Sequence, residues 1–206
     1  MVVAARDARG HPWATLLTGP EGFILSPDPK SLHIKAKPVP GDGSEDALFE
    51  GADMGIIGIE LATRRRNRVN GRILKDSPDT VIFSVEQSFG NCSQYIRERE
   101  WRSVERMPAG KPTHGTRLTS SQRAWIADAD TLFIATGYRS NGESATYGMY
   151  APHRGGDRGF VRIAGDNRLE IPDYAGNNHF NTIGNLMLDS RAGLSFIDFA
   201  TGSLLQ

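Results

Sequence analysis

Three clusters in this chain combine cations, amides and glycines at spacings that suit an anionic ligand. Arg64-Arg-Arg-Asn-Arg68 runs into Val69-Asn-Gly-Arg72. On a strand Arg64, Arg66 and Arg68 share one face, and three cations there repel one another unless an anion or carboxylates lie opposite. The same run reads equally as an edge strand guarded by charge. No aromatics interleave with it, which argues against nucleic acid. His153-Arg154-Gly155-Gly156 sets a fixed cation beside a backbone that a ligand can approach closely. Glycines in such a turn let successive N–H groups converge on an anion, although these four residues alone also describe a solvated surface turn. The third cluster is Asp173-Tyr-Ala-Gly-Asn-Asn178, followed by Phe180, Ile183 and Met187 at helical spacing. This predicts a short helix whose first turn carries Asn177, Asn178, Asn181 and Thr182. A helix N-terminus offers unpaired N–H groups and a partial positive charge, which suits phosphate. One Asn there is simply a cap; the group, following a basic Gly-rich turn, favours a phosphate-bearing ligand. Five His show no metal-ligand spacing and Cys92 has no adjacent His, so metal and nucleophile chemistries find no support and Cys92 reads as a structural thiol.

The elements that must position these clusters are repeated. Gly22-Phe-Ile24 is followed nine residues after the Phe by Leu32-His-Ile34, and Gly159-Phe-Val161 is followed at the same distance by Leu169-Glu-Ile171. Each pair flanks a turn-prone stretch and reads as a β-hairpin. Gly55-Ile-Ile-Gly-Ile-Glu-Leu-Ala-Thr63 matches Gly193-Leu-Ser-Phe-Ile-Asp-Phe-Ala-Thr201, and Arg6-Asp-Ala-Arg-Gly10 matches Arg139-Ser-Asn-Gly142. The offsets of 137 and 138 residues in the two longer matches mark a duplicated β unit. Strands are expected over Trp13–Leu17, Gly22–Leu25, Leu32–Ile34, Met54–Leu61, Arg68–Leu74 and Thr80–Val85. Asn91–Glu105, charged and without breakers, reads as a helix, and Met107–Thr116 as a linker. Thr119-Ser-Ser-Gln122 is a capping box opening a helix with Trp125, Ile126 and Ala129. Strands resume at Thr131–Gly137. The organisation is a first copy over 1–90, a helical connector over 91–130 and a second copy over 131–206: a mainly β chain of two small tandem barrels. The copies differ between Thr15–Gly19 and Thr146–Gly156, where His-Arg-Gly-Gly reads as an insertion between two strands.

Composition bounds the partners. The chain has 206 residues, with 24 Lys plus Arg against 24 Asp plus Glu, so no overall charge grips nucleic acid. The 23 glycines and 11 prolines, about a sixth of the chain against about an eighth on average, suit a chain that turns often. One cysteine excludes an internal disulfide framework. The best apolar run, Met54–Ile59, falls far short of the ~20 residues a spanning helix needs, and the N-terminus has no secretory leader pattern. A soluble cytoplasmic protein is expected, with no membrane or nucleic-acid partner.

Gly159-Phe-Val-Arg162, Ile171-Pro-Asp-Tyr-Ala-Gly-Asn-Asn178, Gly184-Asn185 and Arg191-Ala-Gly-Leu-Ser-Phe196 resemble signatures of the pyridoxamine 5′-phosphate oxidase-like family of FMN-binding split barrels. Arg68-Val-Asn-Gly-Arg72 and Asn91-Cys-Ser-Gln-Tyr-Ile96 resemble further ones, and the likeness covers nearly the whole chain. The nearest resemblance is to the tandem-barrel subgroup, which can precede a reductase module. It implies a six-stranded split barrel per copy and FMN (flavin mononucleotide) at the interface of two barrels. By motif position it implies that His153, Arg154, Gly155, Gly156, Asn177, Asn178, Phe180, Asn181, Thr182 and Asn185 line the flavin or its phosphate, with Arg66 and Arg68 facing it across the interface. The implied function is that of an oxidoreductase passing hydride or electrons through the flavin, with a small-molecule substrate or an electron-transfer partner. The alternative is a non-catalytic flavin-binding or interaction module of a larger reductase. Two departures separate the chain from the oxidase proper: Asn181 and Thr182 stand where it has a basic residue, and Thr146-Tyr-Gly-Met-Tyr150 replaces its Arg-x-Val-Leu-Leu-Lys strand. The second copy runs only to Leu204-Leu-Gln206, whereas the first continues from Arg64 to Val85. The expectation is an exposed strand edge over Phe196–Phe199 that supports a homodimer, or a cover from the 91–105 helix.

Overall fold

The structure, a computed structural model, describes residues 1–90, 92–102, 110–141, 144, 146–176 and 180–206. It is mainly β. The first seven strands are β1 (Val2–Arg6), β2 (Pro12–Leu16), β3 (Ile24–Asp28), β4 (Ser31–Ile34), β5 (Asp53–Glu60), β6 (Arg65–Ser77) and β7 (Thr80–Gly90). They form one antiparallel sheet in the order β2-β1-β5-β6-β7-β4-β3. Leu17, just beyond β2, and Ile34 on β4 pack into one core with Met54, Ile73, Val81 and Phe83. The sheet therefore coils until its two ends share a core, but it stays open rather than closing into a barrel. β3 explains why: it carries Pro27, which has no N–H to donate, and its pairing with β4 breaks register between Leu25 and Asp28. β1 is absent from the sequence expectation because its residues do not alternate. Val3 and Ala5 face the first core while Val2 and Ala4 face the second copy, so both faces are apolar.

The second copy begins with α1 (Ser120–Asp128), which has the expected capping box between Thr119 and Gln122. It continues through β8 (Thr131–Tyr138), β9 (Gly148–Tyr150), β10 (His153–Gly155), β11 (Arg162–Ile163), β12 (Leu169–Glu170), α2 (Asn181–Leu188), β13 (Gly193–Ile197) and β14 (Leu204–Leu205). Among the described residues no helix is long and apolar enough to cross a membrane. Cys92–Arg102, expected as part of a helix, is irregular; Asn91 and residues 103–105 of that expectation lie outside the described residues. Its cations reach carboxylates far along the chain: Arg99 grips Asp130 at 2.5 and 2.7 Å, and Arg97 pairs with Asp157.

The duplication is visible in the registers. Leu25 pairs with His33 and Arg162 with Glu170, both partners shifted by 137. Gly22 and Gly159 adopt φ of 81° and 82°, and Phe23 N–H donates to Pro20 as Phe160 N–H donates to Asp157. β1 pairs with β2 as β8 pairs with β9 and β10, and β1 pairs with β5 as β8 pairs with β13. β9 and β10 keep one register against β8 and are separated only at Ala151-Pro152. This corrects the reading of His153-Arg-Gly as a loop insertion. These residues form a strand in the place of Leu16-Leu17-Thr18, and the extra length falls in the β8–β9 connection. The expected free edge is also corrected, since Phe196 and Ile197 pair with Leu205 and Leu204 of β14.

The copies meet around Val2, Ala4, Ala14, Ile57, Phe133, Ala135 and Met149. A Cβ on Gly55 would lie 2.5 Å from the Met149 carbonyl oxygen, and one on Gly193 would lie 2.1 Å from that of Pro12. Gly55 corresponds to Gly193 and Pro12 to Met149, so the two contacts are related by a pseudo-twofold axis. Arg139 clamps the interface by a two-bonded contact to Asp53 at 2.6 and 2.7 Å, and Arg6 does so through Asp189 at 2.8 Å.

Candidate functional site

β6 of the first copy faces β10 and the start of α2 of the second across a cleft of about 250 Å3. A neighbouring pocket of about 80 Å3 shares Arg66, His153, Arg154, Tyr174 and Gly176 with it. Arg66 and Arg68 alternate on β6 and so enter the cleft from one strand face. Arg64 does not join them: it lies before the strand with φ 58°. Arg68 is 4% exposed, and its guanidinium lies 4.2 Å from the centre of the Tyr150 ring and 5.8 Å from that of Phe89. Such aromatic contacts hold a cation where water is scarce. Burial, then Arg66 and Arg154, lower the Arg68 pKa to about 10, which leaves it charged at neutral pH. Burial likewise lowers Arg66, whose Nε has no hydrogen-bond partner among the described residues.

From the opposite wall, Arg154 meets the cleft beside Asp173, 2.9 Å away. His153 is buried, edge-on to Phe133 at 5.6 Å, and its Nδ1 has no hydrogen-bond partner among the described residues. Burial first, then the nearby Arg66 and Arg99, push its pKa down to about 3. The imidazole is therefore neutral and can donate through one nitrogen and accept through the other. α2 begins after its N-cap residue Phe180, whose side chain makes no capping hydrogen bond, and Phe180, Asn181 and buried Thr182 line the cleft there. The first backbone N–H groups of a helix have no intrahelical partner.

Tyr95 and Tyr174 stack at the rim, with centroids 5.2 Å apart, and the Tyr95 hydroxyl donates to Ala175 at 2.8 Å. Gly155 is needed beneath them, since a Cβ there would sit 2.1 Å from the Tyr95 carbonyl oxygen. Among the described residues three non-glycine residues have positive φ: Arg64, Tyr95 and Phe180. Phe180 lines the cleft, Tyr95 lines the neighbouring pocket, and Arg64 directly precedes β6. Strain of this kind gathers at functional sites because only a surrounding structure that over-determines it can hold it.

The fold thus brings together Arg66, Arg68, His153, Arg154, Gly155, Phe180, Asn181 and Thr182. Two expected residues point elsewhere. The Gly156 N–H donates to Asp130, and Asn185 donates to Thr136 at 3.2 Å. Asn177 and Asn178 lie outside the described residues. Tyr150, Asp173 and Tyr174 were missed as site residues. The repeat held a signal for the first, because Tyr150 occupies the position of Trp13. No cluster of metal-binding side chains occurs among the described residues.

The pseudo-equivalent position is built differently. Leu16 and Leu17 replace His153 and Arg154, and Gln206 takes the register place of Arg68. Gln206 donates to the Ala14 carbonyl at 2.9 Å and to Asp42 at 3.1 Å, and accepts from Gly43 N–H. The buried Asp42 carboxylate also holds Thr15 and Ser44. Comparison with protein-family models, curated proteins and solved structures finds no match for this chain.

Proposed function

We propose that this chain is a tandem split-barrel flavoprotein of the pyridoxamine 5′-phosphate oxidase-like kind that binds one FMN in the β6–β10–α2 cleft. The observation that carries this reading is the convergence of Arg66, Arg68 and Arg154 on a helix N-terminus that Phe180, its N-cap residue, does not cap by a side-chain hydrogen bond. Mutually repelling, partly desolvated cations are stabilised by a polyanion such as a phosphate monoester. Among the described residues the Arg66 Nε and His153 Nδ1 have no hydrogen-bond partner, which adds two unmet polar atoms inside the same cleft. Phosphate would be held by the guanidinium groups and the first α2 N–H groups. Neutral His153 and Asn181 offer polar contacts to a heterocycle, and Tyr150 and Phe180 offer apolar ones. FMN, when bound, supplies hydride or single-electron transfer, while the protein binds and orients it. Arg68, held between Tyr150 and Phe89, fixes a positive charge beside the ligand without moving a proton at neutral pH. Titrating the protein with FMN and following flavin fluorescence tests the reading. Saturable quenching that weakens at least tenfold in Arg66→Ala supports it; no saturation up to millimolar FMN overturns it.

A further inference from the structure

Cys92, expected to be a structural thiol, is exposed, and the fold holds it at a cationic pocket. The β6–β7 ladder runs as far as the pair Asn67 and Gly90, so Cys92 follows the end of β7 by two residues, near the start of β6. The residues after it fix the segment in place. Ile96 is buried and its N–H donates to the Ser93 carbonyl at 3.3 Å, while the Tyr95 hydroxyl donates to Ala175. Cys92 thereby lines the pocket of about 80 Å3 together with Arg66, His153 and Arg154. Burial lowers the Arg66 pKa, the Cys92 thiolate raises it and Arg154 lowers it. Thiol and guanidinium are therefore close enough for each to feel the other's charge. A second observation points to a ligand in the same pocket. His153 is 6% exposed, and its Nδ1 has no hydrogen-bond partner among the described residues. A buried polar atom without a partner marks a place where a water, an ion or a ligand belongs.

We propose that Cys92 is a thiol–disulfide exchange site for small anionic disulfides, with Arg66 and Arg154 attracting the carboxylates of the reagent. Reactive cysteines occupy partly exposed, electropositive surroundings of this kind, and the thiolate is the attacking form. Its sulfur bonds to one sulfur of the disulfide. The old S–S bond breaks, and its electron pair leaves on the other half as a thiolate, which takes a proton from water. Cys92 gives its own proton to water. Cys92 is oxidised and the disulfide is reduced by the same electron pair, so no further oxidant enters. His153 does not serve as the base, because burial holds its pKa near 3; its neutral ring offers a hydrogen bond to the half that stays. The adjoining cleft of about 250 Å3 has room for the remainder of that half. A cationic disulfide meets the same two arginines as a barrier. The site does not depend on flavin binding, since the attacking sulfur lies in the neighbouring pocket and the co-reactant is the disulfide itself.

The reaction rates of Cys92 with disulfides of different charge test this: dithiobis(nitrobenzoate), which is anionic, dithiodipyridine, which is neutral, and cystamine, which is cationic. Each rate is measured on the folded chain with no flavin added and on the same chain unfolded in urea. The intrinsic reactivity of each reagent then cancels in the folded-to-unfolded ratio. That ratio should be about tenfold or more higher for the anionic reagent than for cystamine, within the range that a focused cleft potential gives, and the difference should shrink as salt is raised. Arg66→Gln and Arg154→Gln should each cut the anionic ratio by about threefold or more and leave cystamine no slower. Oxidised glutathione, a net-negative disulfide, should then leave a mixed disulfide on the folded chain by intact mass, absent in Cys92→Ser. Equal ratios for the three reagents overturn the proposal, and so does a charge preference that survives both arginine substitutions or the absence of a glutathione adduct. Should an arginine variant fail to fold, the charge series and salt dependence of the unmodified chain decide by themselves. Failure of FMN to bind would leave all of these rates as they are, so the two readings fall separately.

Discussion

His153 and Arg154 stand where the first copy has Leu16 and Leu17, and that exchange gives the cleft much of its chemistry. Arg154 is shared between Asp173 and the proposed phosphate, so Arg154→Ala should weaken FMN by about 1.5–3 kcal/mol, the scale of a charge-assisted hydrogen bond. Riboflavin, which has no phosphate, should bind nearly as before. Isothermal titration of both ligands checks this, and equal losses would move Arg154 away from the phosphate. His153 has a stability signature of its own. Its pKa in the folded chain is lowered to about 3, below the ordinary value of about 6.5. Above pH 7 both folded and unfolded chains hold it neutral, and it contributes no pH dependence. As pH falls from about 6.5 toward 3, the unfolded chain takes up a proton that the folded chain refuses. Stability then declines with a slope of up to ~1.4 kcal/mol per pH unit. Urea unfolding at pH 7.5, 6 and 5 should show this decline, and His153→Leu, which copies the first unit, should flatten it. An unchanged slope in the variant would show that other groups set it.

At the scale of elements, β5 and β13 are chosen for close approach. Gly55 has the Met149 backbone 2.5 Å from where a Cβ would lie, whereas Gly58 on the same strand has nothing within 4 Å. Gly55→Ala should therefore cost about 1–3 kcal/mol, the range of an overpacked core. Gly58→Ala should be near neutral. Denaturant midpoints of the two variants separate a packing requirement from a general intolerance of side chains on β5. The hairpins and α1 follow from short-range signals: turn residues between apolar runs, and Thr119 with Gln122. β1 and the Cys92–Arg102 segment do not. The first is buried on both faces and has no alternation to detect. The second has helix-forming composition, but Arg97 and Arg99 find their carboxylates at Asp157 and Asp130, far away in sequence.

Over the whole molecule the pseudo-twofold axis builds two comparable places and makes one of them basic. The cleft at Arg66, Arg68 and Arg154 has a counterpart where Leu16, Leu17, Gln206 and the buried Asp42 stand. A carboxylate there repels phosphate, and Gln206 already satisfies the polar groups. Titration should therefore end at one flavin per chain, and two equivalent sites would show that Gln206 and Asp42 yield to ligand. The site spans both copies, so weakening the interface should weaken FMN binding together with stability.

The sequence by itself determined the mainly β character, the duplicated unit and its offset, both hairpins, α1 and the three arginines that line the cleft. These rest on residue types and short spacings, whose physical consequences are local: turn chemistry, capping and strand periodicity. Only the tertiary structure decided which candidates meet. His153–Gly155 is a strand and not a loop because Phe133, twenty residues earlier, pairs with it. Arg64 leaves the cluster because β6 starts after it, and Gly156 and Asn185 turn to Asp130 and Thr136. The sheet stays open because Pro27 and a register break blunt β3. Pairing partners, packing across the pseudo-twofold axis and the burial that neutralises His153 are set by residues far apart in the chain. No local spacing encodes them.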